Sequence, residues 1–188
     1  QNVVDVTFGE MSGSVDDFAK SALKNFGLSE LSAKQYASTM GAMLKSSGLA
    51  GQAVTDMSIE MTKLAADMAS FYNLSTDEAF AKIRSGISGE TEPLKQLGIN
   101  LNVANLEAFA LSQGITKSYN SMSQAEQVML RYNYLLSVTG DAQGNFARTS
   151  GSWANQVRLL KEQWQKFLGL LGDGLIKIAL PVVKFLNK

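Results

Sequence analysis

Apolar residues in this chain return every third or fourth position in runs that glycine repeatedly cuts short, and this punctuation is what most limits the folds open to it. The clearest run places Val54, Met57, Met61, Leu64, Met68 and Phe71 on one stripe and predicts a helix over roughly 52–72. Before it, Val15, Phe18, Ala22 and Phe26 make a shorter stripe after Ser14, and Tyr36, Met40, Met43 and Leu44 make another. Gly41 lies inside the latter, where it either weakens the helix by about 1 kcal/mol relative to Ala or lets a neighbouring helix come close. A single helix of this length would reach about 280 Å at 1.5 Å per residue. The sixteen glycines instead divide the chain into about eight short to medium helices that fold back on one another.

Local signals say where these helices begin. Ser75 with Glu78 three residues later, and Ser123 with Glu126, are capping-box patterns. The first opens a helix carrying Ala79, Phe80, Ile83 and Ile87, and the second one carrying Val128, Met129, Tyr132, Leu135 and Leu136. Asn102 or Asn105 starts a short helix through Leu106 and Phe109 that ends near Gly114. Beyond 150, Trp153, Val157, Leu160, Trp164, Phe167, Leu171, Leu175, Ile178, Val182 and Phe185 keep the same rhythm, broken by Gly169, Gly172, Gly174 and Pro181, which predicts two helices at about 151–170 and 173–187. Strand signals are thin. Val4, Val6 and Phe8 alternate with polar residues, as do Ile99, Leu101 and Val103, which leaves room for one short two-stranded ribbon packed on helices. The expected fold is therefore all-α: an extended N-terminal segment at 1–13, a multi-helix bundle at 14–150, and amphipathic C-terminal helices at 151–188.

Composition narrows the chemistry. Of 188 residues, 45% are hydrophobic, enough for a core, and seventeen bases balance seventeen acids, so the basic footprint of a sequence-specific nucleic-acid binder is missing. The balance is uneven along the chain: residues 1–100 carry twelve acids and eight bases, residues 101–188 five acids and nine bases. Without cysteine there is no disulfide or thiolate metal site, and without histidine the commonest general base and metal ligand are gone. The chain opens at Gln1 with no basic-then-apolar leader, and it is expected to be a piece of something longer.

An enzyme built from these residues would depend on carboxylates, Lys or Tyr. The paired carboxylates Asp16 with Asp17, Asp77 with Glu78, and Glu90 with Glu92 all fall at expected helix starts, and neighbours on a helix point apart, so none forms a convergent dyad unaided. No catalytic activity, metal or cofactor is expected. The run Ser85-Gly86-Ile87-Ser88-Gly89-Glu90 lacks the Lys and the preceding strand of a phosphate-binding loop. Gly86 is expected to close a helix, Gly89 to make a tight turn, and Pro93 to enter the first turn of the next helix with Glu90 and Glu92 near its positive end.

Two surfaces are candidates for contact. Methionines cluster between positions 40 and 129, on the same stripes as Leu, Val and Phe, and read as core rather than as an adaptable binding face. Residues 153–188 join Trp153, Trp164 and six bases to only two acids. Such a segment packs as a seam, through Trp153, Val157, Leu160, Trp164, Phe167, Leu171, Leu175 and Ile178, in a bundle or between copies, or else lies on an anionic membrane surface; its charges exclude an ordinary transmembrane span.

The run Phe71-Tyr72-Asn73-Leu74-Ser75 into Asp77-Glu78-Ala79, followed by Ser85-Gly86-Ile87-Ser88-Gly89-Glu90-Thr91-Glu92-Pro93-Leu94-Lys95-Gln96-Leu97-Gly98-Ile99, resembles the signature region of phage tail tape-measure proteins. Thr139-Gly140-Asp141 and Ser150-Gly151-Ser152-Trp153-Ala154-Asn155-Gln156 follow in the order of that pattern, so the resemblance covers about residues 28–188. Its most specific positions are Gly86, Gly89, Glu90, Glu92, Pro93, Leu94, Leu97 and Gly98. The resemblance implies a structural protein that occupies the lumen of a phage or prophage tail tube, sets tail length during assembly in the host cytoplasm, and leaves through the tip at infection. It implies tail-tube and tail-tip or baseplate proteins as partners, self-association as a trimer, and contact with the host membrane after ejection. The alternatives are a membrane-active helical delivery or pore-forming protein that inserts through 153–188, and a cell-wall glycan hydrolase working with carboxylates alone.

Overall fold

The structure, a computed structural model, describes residues 2–146. In chain order its elements are α1 (Val3–Phe8), a 3₁₀ turn (Gly9–Met11), α2 (Ser12–Phe26), α3 (Glu30–Ser46), α4 (Gly51–Tyr72), α5 (Thr76–Ser88), α6 (Glu92–Lys95), α7 (Val103–Ser112), a second 3₁₀ turn (Tyr119–Ser121) and α8 (Gln124–Val138). The expected all-α bundle is what forms, and the described residues contain no strand. The amphipathic helices expected at 151–188 lie outside the described residues.

Helix starts follow the side chains that can accept orphan amide hydrogens. Ser29, Ser75, Asn102 and Ser123 each accept a backbone N–H from the residue three positions on. At Ser123 the box is complete, because Glu126 also accepts the Ser123 N–H at 3.3 Å. Helix ends turn on residues in the left-handed region, Gly27 after α2, Asn73 after α4 and Gly89 after α5.

The two segments that alternate in polarity are not strands. Asn2 accepts the Val4 N–H and starts α1, so Val4 and Phe8, one turn apart, go into the core while Val6 is 62% exposed. The stretch expected to be extended is thus mostly helical. At 99–103 the polar alternates are caps: Asn100 accepts the Asn102 N–H, and Asn102 accepts that of Asn105. Val103 is 44% exposed at the start of α7, while Ile99 and Leu101 are buried in the loop before it.

At the centre, α4 packs against α1, α2, α3 and α5. The expected stripe is buried from Val54 to Met68, but burial extends round the helix to Thr55, Ser58, Glu60, Thr62 and Asp67. Phe71, on the same stripe, is 43% exposed past the edge of the body. The polar residues survive inside because most find partners: Thr62 donates to the Ser58 carbonyl at 2.8 Å, and Glu60 pairs with Lys63 at 3.0 Å. The Lys63 ammonium in turn lies 5.9 Å from the ring centroids of Phe18 and Phe26. Met40, Met57, Met61, Met68 and Met129 belong to the main apolar core, as their stripes require. Gly41 is a close-approach glycine, since a Cβ there would stand 2.8 Å from the Phe8 ring and from the Thr7 methyl.

Candidate functional site

The specific run at 85–99 folds into two tight turns around a one-turn helix. After α5 the Glu90 N–H donates to the Ser85 carbonyl at 2.9 Å and the Gly89 N–H to the Gly86 carbonyl at 3.1 Å, with Gly89 at φ 104°. Gly89, and not Gly86, is therefore the glycine that closes α5. Gly86 stays helical, and its missing side chain has another use: a Cβ there would lie 2.3 Å from Leu94 Cδ1 and 2.9 Å from Leu101 Cδ1. The bare backbone of α5 is the floor on which the two leucines sit.

Pro93 occupies the first turn of α6 as expected, with its fixed φ and absent N–H costing nothing there. Leu94 is fully buried and Leu97 partly so. The Gly98 N–H then donates to the Lys95 carbonyl and the Ile99 N–H to the Leu94 carbonyl, with Gly98 at φ 80°, a second turn of the same design. Lys82 joins α5 to α6, donating to Gln96 Oε1 at 2.6 Å and to the Pro93 carbonyl at 3.5 Å. Glu90 and Glu92 remain at the surface, Glu92 paired with Lys95 at 3.2 Å.

Ile87, Leu94 and Ile99 seat this unit in the core, and one residue from α8 adds a polar tie to it. Arg131 Nη1 donates to the Ile87 carbonyl at 2.7 Å, Arg131 Nε donates to the Tyr119 hydroxyl at 3.0 Å, and the guanidinium lies against Gly89, where a Cβ would come within 3.3 Å of it. A cation at the carbonyl end of α5 is also favoured by the helix dipole. Arg131 was not among the residues singled out from sequence. The available signal was a single base set between Val128, Met129, Tyr132 and Leu135 on a stripe that is otherwise apolar.

The carboxylates considered for catalysis are spread over separate elements. Asp16 pairs with Lys34 at 3.4 Å, and Lys34 also with Glu30 at 2.9 Å, chiefly for which its ammonium pKa is raised. Asp77 accepts a hydrogen bond from the Tyr36 hydroxyl, whose pKa is pushed up first by burial and then by that carboxylate. Glu78 reaches Lys82 at 3.9 Å. Among the described residues no group of carboxylates is arranged to hold a metal ion, and no helix is long and apolar enough to cross a membrane.

A second feature lies at the opposite end of α4. An open cleft of about 340 Å³ is lined by Val6, Phe8, Glu10, Met11, Lys45 and Val54, among others. Lys45 is committed to the Thr7 carbonyl at 3.2 Å, at the end of α1. The other missed residue is Asp67, whose Oδ2 accepts the Gly144 N–H at 2.7 Å and Oδ1 the Phe146 N–H at 3.2 Å, fixing the last described turn to the central helix. The expected seam residues Trp153, Val157, Leu160, Trp164, Phe167, Leu171, Leu175 and Ile178 lie outside the described residues.

No family model matches this chain, and neither a curated protein nor a solved structure matches it.

Proposed function

We propose that this chain is part of a phage or prophage tail tape-measure protein: a non-enzymatic structural component that occupies the tail tube, takes part in setting tail length, and leaves through the tip at infection. The reading rests on the run from Ser85 to Ile99, whose resemblance to that family is the most specific feature of the sequence. Its geometry supports a structural role. Gly86 and Gly98 serve packing and turning, Pro93 and Leu94 seat a short helix in the core, and Glu90 and Glu92 are left on the surface of a rigid double turn where a tail-tube or tail-tip protein can meet them. Within the full protein this body is a docking region rather than the measuring rod, because its glycines interrupt any continuous helix. Copies meet around the tail axis through 153–188, in a trimer, and the same segment faces the host membrane after ejection.

The test is genetic and direct. Deleting the coding sequence from the prophage should yield particles without tails of normal length, and antibody against residues 14–146 should detect the polypeptide in purified intact tails. Normal tails from the deletion strain, or tails that lack the polypeptide, would overturn the reading. The membrane-active alternative is favoured by the basic amphipathic character of 153–188. It predicts that a 151–188 peptide gains helix on anionic vesicles at low salt and loses it at high salt.

A further inference from the structure

We infer that Arg131 is a recognition point as well as a tie, and that it receives one carboxylate from a partner polypeptide where its guanidinium reaches the surface beside Gly89. Arg131 is 8% exposed, yet it belongs to no ion pair among the described residues. A charge so far from water is ordinarily matched by an opposite one. The carbonyl end of α5 and the Tyr119 ring, 5.9 Å from the guanidinium carbon, carry partial charges only and offset it in part.

Donors are in excess as well as charge. A guanidinium carries N–H groups on all three nitrogens. Here Nε donates to the Tyr119 hydroxyl and Nη1 to the Ile87 carbonyl, while Nη2 has no acceptor among the described residues and is open to solvent. The two bonds hold the group from different sides, so Nη2 is fixed in place before anything meets it. Gly89, itself exposed, keeps the approach clear: a Cβ there would stand 3.3 Å from both the guanidinium carbon and Nη2. An anionic oxygen is the acceptor that answers both the unmatched charge and the free N–H groups.

The neighbouring residue selects which anion. Glu90 follows Gly89 directly; its N–H is fixed on the Ser85 carbonyl at 2.9 Å, and its carboxylate stands exposed, in no ion pair among the described residues. It repels a doubly charged phosphate about twice as strongly as a singly charged carboxylate. The group that fits is therefore an Asp or Glu side chain, or the C-terminal carboxylate of a chain. This deepens the docking role proposed above for the double turn and rests on that reading only for which protein supplies the carboxylate; the binding itself is measured on this chain alone.

The experiment is an NMR titration of the full chain, labelled with nitrogen-15, in which acetate replaces chloride at constant ionic strength. The Arg131 side-chain signals and the amides of Gly89 and Glu90 should shift together and saturate, with half-saturation at roughly 10–100 mM for one partly screened contact. Arg84, exposed on the same helix, is the internal control and should drift without saturating. An Arg131 response no more saturable than that of Arg84 overturns the inference, and so does inorganic phosphate binding more tightly than acetate. Glu90→Gln, a change at an exposed position, should tighten acetate about twofold; an unchanged midpoint would remove Glu90 as the selecting group. A capped peptide with one internal Asp and an Asp-free peptide with a free C-terminus then separate the two sources of carboxylate: the tighter binder names the source, and failure of both to shift Arg131 overturns recognition of a polypeptide. None of these results bears on whether the chain is found in tails.

Discussion

The helices α2 to α4 and the stretch from α5 to α7 are held together by different means. In the first region long stripes interlock, and stability is spread over many apolar contacts among Val15, Ala22, Met40, Leu44, Met61 and Met68. In the second the helices are as short as four residues, and although Ile83, Ile87 and Leu106 reach the same core, the link from α5 to α6 turns on special positions: two left-handed glycines, the Gly86 floor under Leu94 and Leu101, and Arg131. Distributed packing tolerates exchange of shape, whereas a turn built from special positions does not.

The largest expected effect follows from Leu94. Leu94→Ala should cost about 4 kcal/mol in denaturant-induced unfolding, because a fully buried side chain anchors a one-turn helix that has little else. Met61→Leu, equally buried in α4, should cost about 1 kcal/mol, and a comparable loss at both sites would break the contrast. Next, Arg131→Met should cost about 3 kcal/mol, since it leaves the Ile87 carbonyl and the Tyr119 hydroxyl without their donor. Hydrogen exchange should quicken at 86–90 in that variant while α2 and α3 stay protected.

Glycine substitutions sharpen the contrast at smaller scale. Gly98→Ala, at φ 80° with open space around it, should cost about 1 kcal/mol from backbone strain alone. Gly13→Ala, helical and uncrowded in α2, should instead stabilise by about 0.5 kcal/mol. Opposite signs in the two regions are the outcome to look for in thermal melts.

The smallest effect concerns pH. The Glu126 pKa is lowered, chiefly by its bond to Lys117 and against the opposing effect of burial, with the Ser123 cap adding to it. A lowered folded pKa means that its contribution is fully present above about pH 4.3 and is lost as pH falls through the folded value. Glu126→Gln should therefore cost about 0.5 kcal/mol at pH 7 and flatten the acid limb of the stability curve. An unchanged acid limb would show that Lys117 adds nothing to the cap.

Which parts of this were legible in the sequence depends on how local their causes are. The capping serines, Asn102 and the stripes of α2, α4 and α8 act within a turn or two of chain, and each could be read directly. The run 4, 6, 8 alternates as a strand would, yet a strand needs a partner, and Asn2 with the pocket for Phe8 settled the matter in favour of a helix. Gly86 reads in the sequence as a helix end, because spacing cannot show that Leu94 and Leu101 return to lie on it. Arg131 and Asp67 act across 44 and 77 to 79 residues of sequence, through carbonyl and amide groups that every residue carries, so no pattern announces their partners. The double turn was recognised as a sequence pattern, while its dependence on α8 was visible only in three dimensions.

The clamp at Asp67 has a mechanical meaning. A chain that is drawn through a narrow passage is pulled from one end, and what the pull does depends on where it enters the folded body. Tension applied beyond Phe146 enters the last third of the central helix, through the two backbone N–H groups that Asp67 accepts and through Asn145 Nδ2 donating to Ser70 Oγ at 2.7 Å, with Phe146 resting on the bare backbone of Gly27. The body is thus tethered through its central helix, so a load from that side is shared between the Asp67 carboxylate and the Ser70 hydroxyl before it reaches the apolar core.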